Sequence, residues 1–317
     1  MSFFFEVLIG GLLSGVMYSL VALGFVLIYK ASGVFNFAQG AMVFFAALTY
    51  VGLLEHGLSP WLAIPATLLV MILLGLVTER VVLRPLVNQP QITLFMATIG
   101  LTFFIEGLAQ MAWGANVRGL ELGLQDEPLQ WITDTTGMNV SKFDLVAAGV
   151  AAILVTVLAL FFSRTRIGRA LRAVADDHQA ALAVGIPLQQ IWAIVWGVAG
   201  AVALVAGLLW GARNGVQFAL TFVALKALPV LILGGFDSIP GAIVGGLIIG
   251  ASEKLAEVYL GPFVGGLIIG ATEKLAEVYL GPFVGGGIEG WFSYVFALTF
   301  LLFRPEGLFG EKHIDRV

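Results

Sequence analysis

The sequence predicts an all-α membrane protein, a polytopic bundle of about eight to ten transmembrane helices. Hydrophobic residues fill 59% of the 317 positions and charged residues only 11%, whereas a globular domain is about one quarter charged. The mean hydropathy is +0.99. Apolar runs of roughly 20 residues recur along the chain, and each can cross about 30 Å of hydrocarbon as a helix. The 40 glycines fit membrane helices that pack closely through small residues.

The hydropathy pattern indicates a single membrane domain over residues 1–317, without a soluble module. Each span is an apolar run bounded by charged residues, glycine or proline. In chain order the predicted spans are 4–29, 34–54, 60–78, 92–113, 145–162, 191–212, 221–235, 241–260 and 289–303.

Charge placement predicts the topology. The segment 163–190 places Arg164, Arg166, Arg169 and Arg172 directly after a span, which marks it as cytoplasmic by the positive-inside rule. The basic 79–91 loop and the C-terminal tail follow the same rule. The loop 114–144 holds two basic and five acidic residues and is predicted to be external. Counting crossings then puts the N-terminus outside, unless the glycine-interrupted second span is re-entrant.

The composition argues against an enzyme. The chain has no cysteine and three scattered histidines, so it offers no thiolate site and no metal-ligand spacing. It contains no phosphate-binding loop, no HExxH and no GxSxG motif. We therefore predict no catalytic residue, no metal, no cofactor and no nucleic-acid partner for this chain. ATP and Mg²⁺, if involved, would be bound by other subunits.

The segment 163–190 also predicts a short amphipathic helix under the membrane. Arg166, Arg169 and Arg172 are spaced by three residues and lie along one side of a helix, before the break at Gly185 and Pro187. Topological anchoring would explain the arginines. A docking helix for a partner protein is the alternative, because small residues between the arginines would permit close contact with a groove.

Polar residues interrupt other apolar segments. Asn36, Gln39 and Gly40 break the second span early, and amides there either line a cavity or bond between helices. Glu106 and Lys226 stand at apparent membrane depth, where they are expected to face protein or water. The sequence does not decide whether they pair.

The segment GGFDSIPGA, 234–242, separates two apolar runs. Gly234, Gly235, Asp237 and Pro240 all disfavour a continuous helix. The break predicts either a pair of half-helices beside a translocation path or a tight turn at the membrane interface.

Five motifs in order resemble one family. They are NFAQG at 36–40, ERVVLRPL at 79–86, SRTRIGRALRAVADDHQAALAVGI at 163–186, LKALPVLILGGFDSIPGAIVGGLIIG at 225–250 and FRPEGLFG at 303–310. Together they are similar to the permeases of high-affinity branched-chain amino-acid ABC importers, LivH-type subunit.

The resemblance implies the ABC importer permease fold in a bacterial inner membrane. It implies four kinds of partner: a LivM-type second permease, two ATPase subunits, a periplasmic substrate-binding protein and the lipid bilayer. The expected substrates are leucine, isoleucine and valine, with urea or short amides as the alternative. The expected ATPase-coupling residues are Arg166, Gly168, Arg169, Arg172, Ala173, Asp177, Ala181, Gly185 and Ile186. The translocation-path candidates are Asn36, Gln39, Gly40, Glu106, Lys226, Gly234, Gly235, Asp237 and Pro240.

Other classes of membrane protein would show different features. A secondary transporter would show several intramembrane acids or an inverted repeat of broken helices, and a passive channel would transport without an ATPase. A membrane enzyme would cluster its titratable groups. A purely structural scaffold would leave uptake near normal when deleted.

A tandem repeat covers 244–283. VGGLIIGASEKLAEVYLGPF at 244–263 recurs at 264–283 with only Ser252 replaced by Thr272. A second full span would send the basic tail to the outside, against the positive-inside rule. We therefore expect one copy to form a membrane helix and the other to add an external hairpin or an interfacial helix. Glu253, Lys254 and Glu257 and their repeats are expected to play no catalytic part.

Overall fold

The computed structural model describes residues 2–86, 89–123, 127–176 and 178–259, and within these ranges the regular structure is helical. The helices are α1 (Ser2–Ser32), α2 (Gln39–Glu55), α3 (Pro60–Val77), α4 (Gln91–Trp113), α5 (Gln130–Thr136), α6 (Lys142–Arg164), α7 (Arg166–Asp176), α8 (His178–Ala183), α9 (Leu188–Asn214), α10 (Val223–Gly234) and α11 (Ile239–Tyr259). A π-helical turn, Thr78–Leu83, continues α3, and a 3-10 turn, Phe218–Phe222, precedes α10.

The predicted spans that fall within the described ranges are helical, apart from the first five residues of the second span and the last residue of 221–235. Among the described residues, six helices are long and apolar enough to cross a membrane, namely α1, α3 with its extension, α4, α6, α9 and α11. The same part of the chain has two shorter apolar helices, α2 and the Phe218–Gly234 segment that contains α10. The second span starts at Gln39 rather than at 34. The predicted span 289–303 lies outside the described residues.

Local sequence sets several helix starts. Pro60 is the first residue of α3, where its fixed φ suits a helix and its missing N–H costs nothing. The Ser141 hydroxyl accepts from the Asp144 amide at 3.1 Å and caps α6. Ser238 caps α11 in the same manner, accepting from the Gly241 amide at 3.0 Å. Side-chain oxygens thereby satisfy amides that have no partner within their own helix.

Helix α1 is the centre of the bundle. In its most apolar stretch 83% of residues are buried, against 33% for both α4 and α6. It packs against α6, α9, α10 and most extensively α11. By contrast α3, α4 and α6 expose large apolar side chains, including Trp61, Phe103 and Ile153. These three helices present the surface that suits hydrocarbon.

Glycines allow α1 and α11 to touch backbone to backbone. Gly11 and Gly15 of α1 face Gly250 and Gly246 of α11, and a Cβ placed on Gly11 would lie 2.7 Å from the Gly250 carbonyl oxygen. Both helices therefore carry glycines four residues apart on the contact face, the small-residue spacing that membrane helices use for close packing. The Ser19 hydroxyl also reaches the Ile243 carbonyl across this interface, at 3.3 Å.

The bundle has two chemically different ends. At what we call the arginine-rich end, α1 and α10 finish, α6 meets α7, and α9 and α11 begin. Trp192 Nε1 donates to the Ala31 carbonyl there at 2.8 Å. At the opposite end Arg118 pairs with Glu55 at 2.6 Å. Lys30 therefore lies at the arginine-rich end and Arg118 at the opposite end, and the side of the membrane that each end faces stays a prediction.

The tandem repeat is described only in part. The first copy, from Val244 to Tyr259, forms most of α11. The second copy, 264–283, and the C-terminal tail lie outside the described residues, so the expectation for that copy stays a prediction.

Candidate functional site

Two short helices begin next to each other inside the bundle, at a place we call the helix junction (Asn36, Gln39, Gly40 and Thr221). Gly40 packs against the Thr221 carbonyl, and a Cβ on Gly40 would lie 2.9 Å from the Ala224 Cβ. From here α2 runs toward the opposite end, whereas α10 runs toward the arginine-rich end. Both helices point their positive N-terminal ends at the junction.

The helix junction lies well below the bundle surface. Gln39 packs directly against Gly24 of α1, which stands eight residues before the helix ends at Ser32, or about 12 Å along the axis. The 33–38 connection therefore folds back into the bundle before α2 begins. Its position explains why α2 needs only 17 residues to reach the opposite end.

Buried amides furnish the helix junction with polar groups. Asn36 and Gln39 are both fully buried, and Asn36 Nδ2 donates to Gln39 Oε1 at 3.3 Å. The Asn36 side-chain oxygen accepts from the Ala38 amide at 3.1 Å. Gln39 Nε2 has no hydrogen-bond partner among the described residues. An unmet donor at this depth is costly unless it serves a passing ligand or water.

The other path candidates lie apart from the helix junction. Gly234 and Gly235 are buried at the end of α10, Asp237 sits in the α10–α11 turn at the arginine-rich end, and Pro240 lies in the first turn of α11. Gly234 packs against the backbone of Gly241, which closes this turn tightly. The structure therefore has a tight turn at the bundle end here, and α10 itself is the half-helix.

Lys226 pairs with a residue that the sequence did not suggest. Its Nζ lies 3.6 Å from Glu253 Oε1 of α11, and the Glu253 side chain is only 5% exposed. Glu106 is buried on α4 and forms no ion pair with Lys226. Glu253 belongs to the first copy of the repeat and was not among the path candidates. It joins α10 to α11 electrostatically.

A second ion pair lies beside the first, and sequence reasoning missed it as well. Arg213 Nη1 stands 3.2 Å from Asp144 Oδ1 and 3.2 Å from the Ser14 hydroxyl. Its guanidinium lies over the ring of Trp210, 5.9 Å from the centroid. Asp144 directly precedes the predicted span 145–162, and Arg213 directly follows 191–212. The sequence could therefore have suggested that the two residues lie at the same end of the bundle, although not that they pair. Their pairing ties α9 to α6.

A small cavity of about 80 Å³ connects these two ion pairs. Arg213, Lys226 and Glu253 line it together with Tyr18 and Trp210, whose rings stack at 5.1 Å. Trp210 Nε1 is buried and has no partner among the described residues. The cavity has room for a few water molecules and no more.

The predicted coupling segment forms α7 and α8. Arg166 and Arg169 are exposed on α7, whereas Gly168 packs against the backbone of Phe162. The guanidinium of Arg172 donates to the Phe162 carbonyl at 2.8 Å, at the end of α6. Two arginines are thus free to meet a partner, and the third joins α7 to α6.

The remaining coupling residues shape the end of this segment. Ala173 is half-buried, Ala181 is buried, and Gly185 adopts a φ of 83° that favours glycine. The Ile186 amide donates to the Ala181 carbonyl at 3.0 Å and closes α8. Asp177 lies outside the described residues.

Comparison with known proteins decides the family. The model described as branched-chain amino acid transport system, permease component, matches residues 7–304, nearly the whole chain. The chain belongs to this permease family. The permease is a transport component rather than an enzyme, and it is a multi-pass membrane protein.

Curated relatives match the permease over most of its length. The high-affinity branched-chain amino acid transport system permease protein BraD of Pseudomonas aeruginosa is 27% identical over 99% of the permease and 98% of its own length. The LivH protein of Escherichia coli is 29% identical, covering 81% of the permease and 87% of LivH. The fructose import permease protein FruF of Bifidobacterium longum is 25% identical over 75% of the permease and 66% of FruF.

Proposed function

We propose that this permease carries branched-chain amino acids across a bacterial inner membrane as one subunit of an ATP-driven ABC importer. The observation that carries the proposal is the family match over residues 7–304, together with relatives whose names specify branched-chain amino acids. Leucine, isoleucine and valine are the first substrates to test. Urea and short amides are the alternative within the same mechanism.

The helix junction is our candidate for the translocation path. Two helix N-termini direct partial positive charge at one buried place, where Gln39 offers a free donor. An amino-acid carboxylate is the kind of group that helix N-termini favour within membranes. The apolar side chain would then pass along the aromatic residues Phe35, Phe37 and Phe95, which pack edge to face beside the junction.

The proposed coupling surface is the exposed side of α7. A separate ATPase subunit would seat there, with Arg166 and Arg169 as the charged contacts. Because Arg172 links α7 to the end of α6 and Gly168 lets the two approach, movement of α7 would reach the membrane through α6. A LivM-type second permease and a periplasmic binding protein complete the proposed importer.

Transport by the reconstituted complex tests the proposal. Proteoliposomes would contain this permease, its partner permease and two ATPases, with the binding protein outside. We expect leucine uptake that needs ATP and stops when the ATPases are omitted. Uptake that continues without them would indicate a channel or secondary transporter. ATP-dependent uptake of urea but not leucine would support the importer mechanism and would replace branched-chain amino acids with urea as the substrate.

A further inference from the structure

A cavity of about 430 Å³ lies at the arginine-rich end, between the last turn of α6, α7 and the α10–α11 turn. Lys30, Arg172 and Asp237 line it, as do the hydroxyl-bearing residues Ser163 and Ser238. It is more than five times larger than the cavity between the two ion pairs. The cavity is therefore large enough for a polar headgroup, and its lining combines these polar groups with apolar side chains such as Leu160 and Leu171.

Both cations in this cavity are bound to carbonyl oxygens rather than to carboxylates. Lys30 Nζ donates to the Asp237 backbone carbonyl at 3.1 Å, and Arg172 donates to the Phe162 carbonyl at 2.8 Å. Among the side chains that the structure describes, neither cation forms an ion pair. With two cations and the one Asp237 carboxylate, the side chains that line the cavity carry a net charge of +1.

The start of α11 adds to the positive potential. Ser238 and Ile239 line the cavity at the N-terminal end of this 21-residue helix, and the helix dipole is positive there. A guanidinium has five N–H donors, and Arg172 uses two of its nitrogens on carbonyls of α6. Donors therefore remain for an anion.

The apolar wall of the cavity continues along the outside of the bundle. Leu160 lines the cavity and is 52% exposed. Val157 and Ile153, at helical spacing on the same side of α6, are also exposed. This stripe runs from the cavity toward the middle of the bilayer. A ligand with a charged head and a hydrocarbon tail fits both parts at once.

We propose that this cavity binds the phosphate of an anionic phospholipid, with an acyl chain lying along the outer stripe of α6. A phosphodiester carries one negative charge and balances the +1 lining. Basic pockets between helices at a cytoplasmic boundary recognise lipid headgroups by this chemistry. The bound headgroup would tie the base of α7 to the α10–α11 turn. The proposal does not depend on which substrate is carried.

Native mass spectrometry of the full chain in detergent tests the site, with phosphatidylglycerol or phosphatidylcholine as the added lipid. We expect the wild type to retain phosphatidylglycerol preferentially. The Lys30→Gln/Arg172→Gln variant is expected to lose about fivefold of that preference for each cation removed. Arg169→Gln/Lys254→Gln removes the same two charge types outside the cavity and is expected to keep it.

A gain-of-charge variant covers the case in which the double variant fails to fold. Asp237→Asn raises the lining from +1 to +2 and is expected to strengthen the phosphatidylglycerol preference by about fivefold. An unchanged preference in either cavity variant would overturn the proposal. Inorganic phosphate that displaces phosphatidylglycerol at equal concentration would also overturn it, since the cavity would then be a soluble-anion site.

Discussion

Lys226 and Glu253 form an ion pair whose two members are buried to different degrees. The Lys226 side chain is 37% exposed, whereas that of Glu253 is 5% exposed. Because Lys226 lines the small cavity, which has room for water, its charge can still be hydrated when its partner is lost. Losing Lys226 removes the cation that pairs with a buried carboxylate, which is more costly. The pair is thus predicted to be asymmetric in its effect on stability.

We predict that Lys226→Met destabilises the chain by about 3 kcal/mol and Glu253→Gln by about 1 kcal/mol. The double variant is expected to be more stable than Lys226→Met alone, because it removes the buried negative charge together with the cation that pairs with it. Unfolding of the purified protein in detergent measures these differences. Lys254→Met, which breaks the exposed Lys254–Glu257 pair, is the control and should cost less than about 1 kcal/mol. Equal losses for Lys226→Met and Glu253→Gln would contradict the asymmetry.

Helices α1 and α11 depend on glycine for their contact. A Cβ on Gly15 would overlap the Gly246 carbonyl, whereas one on Gly10 of the same helix meets nothing within 4 Å. Gly15→Ala must push the helices apart and is predicted to cost about 1–3 kcal/mol. Gly10→Ala is predicted to be neutral or to stabilise by up to about 1 kcal/mol, because alanine is the better helix former. Thermal unfolding of both variants measures these changes in stability. If Gly15→Ala destabilised the protein no more than Gly10→Ala, the close α1–α11 contact would not matter for stability.

Helix α7 presents Arg166 and Arg169 to the solvent and keeps Leu171 and Val174 buried. Arg172 donates to the Phe162 carbonyl at the end of α6, so reversing its charge would also disturb the α6–α7 contact. Arg166→Glu/Arg169→Glu is the cleaner change.

We predict that this variant inserts normally and binds the ATPase subunits about tenfold more weakly, because its charge no longer complements the partner surface. Copurification from membranes measures the loss. Lys142→Glu reverses an exposed charge at the opposite end and should retain the ATPases. Wild-type copurification of the α7 variant would refute the coupling surface.

For the whole molecule, the spans could be predicted from the sequence because bilayer thickness fixes the length of each apolar run. The charge pattern also predicts which side of the membrane each end faces, because the arginines concentrate in the segment 163–190, and this stays a prediction. The predicted 34–54 span is wrong at its start, since α2 begins only at Gln39. Hydropathy continues through 34–38, but Asn36 and Gln39 fold that segment back into the bundle.

Side-chain partners could not be predicted, since they depend on which helices become neighbours. Lys226 and Glu106 share an apparent depth, but Lys226 faces Glu253 across the α10–α11 contact. Asp144 and Arg213 are 69 positions apart and meet only because α6 lies beside α9. The sequence shows which charged residues lie in or next to apolar spans, but the packing of the helices determines which of them pair.

The side on which the tail emerges tests the topology of the complete chain. Helix α11 ends at Tyr259, at the opposite end of the bundle from α7. The basic tail therefore reaches the side of α7 only after an odd number of further crossings. Arg304, Lys312 and Arg316 favour that side by the positive-inside rule, so we expect one crossing between Tyr259 and Arg304. Only one of the two remaining candidates, the second repeat copy or 289–303, would then cross.

The chain has no native cysteine, so single-cysteine variants report sidedness without background. We predict that Arg304→Cys and Arg166→Cys react with a membrane-impermeant maleimide only in inside-out vesicles, because Arg166 lies at the arginine-rich end and the positive-inside rule favours the same side for Arg304. Asp134→Cys, exposed in the loop at the opposite end, should react only in intact spheroplasts and serves as the control. Labelling of Arg304→Cys together with Asp134→Cys would mean an even number of crossings after Tyr259, with both candidates or neither of them crossing, and would contradict the prediction.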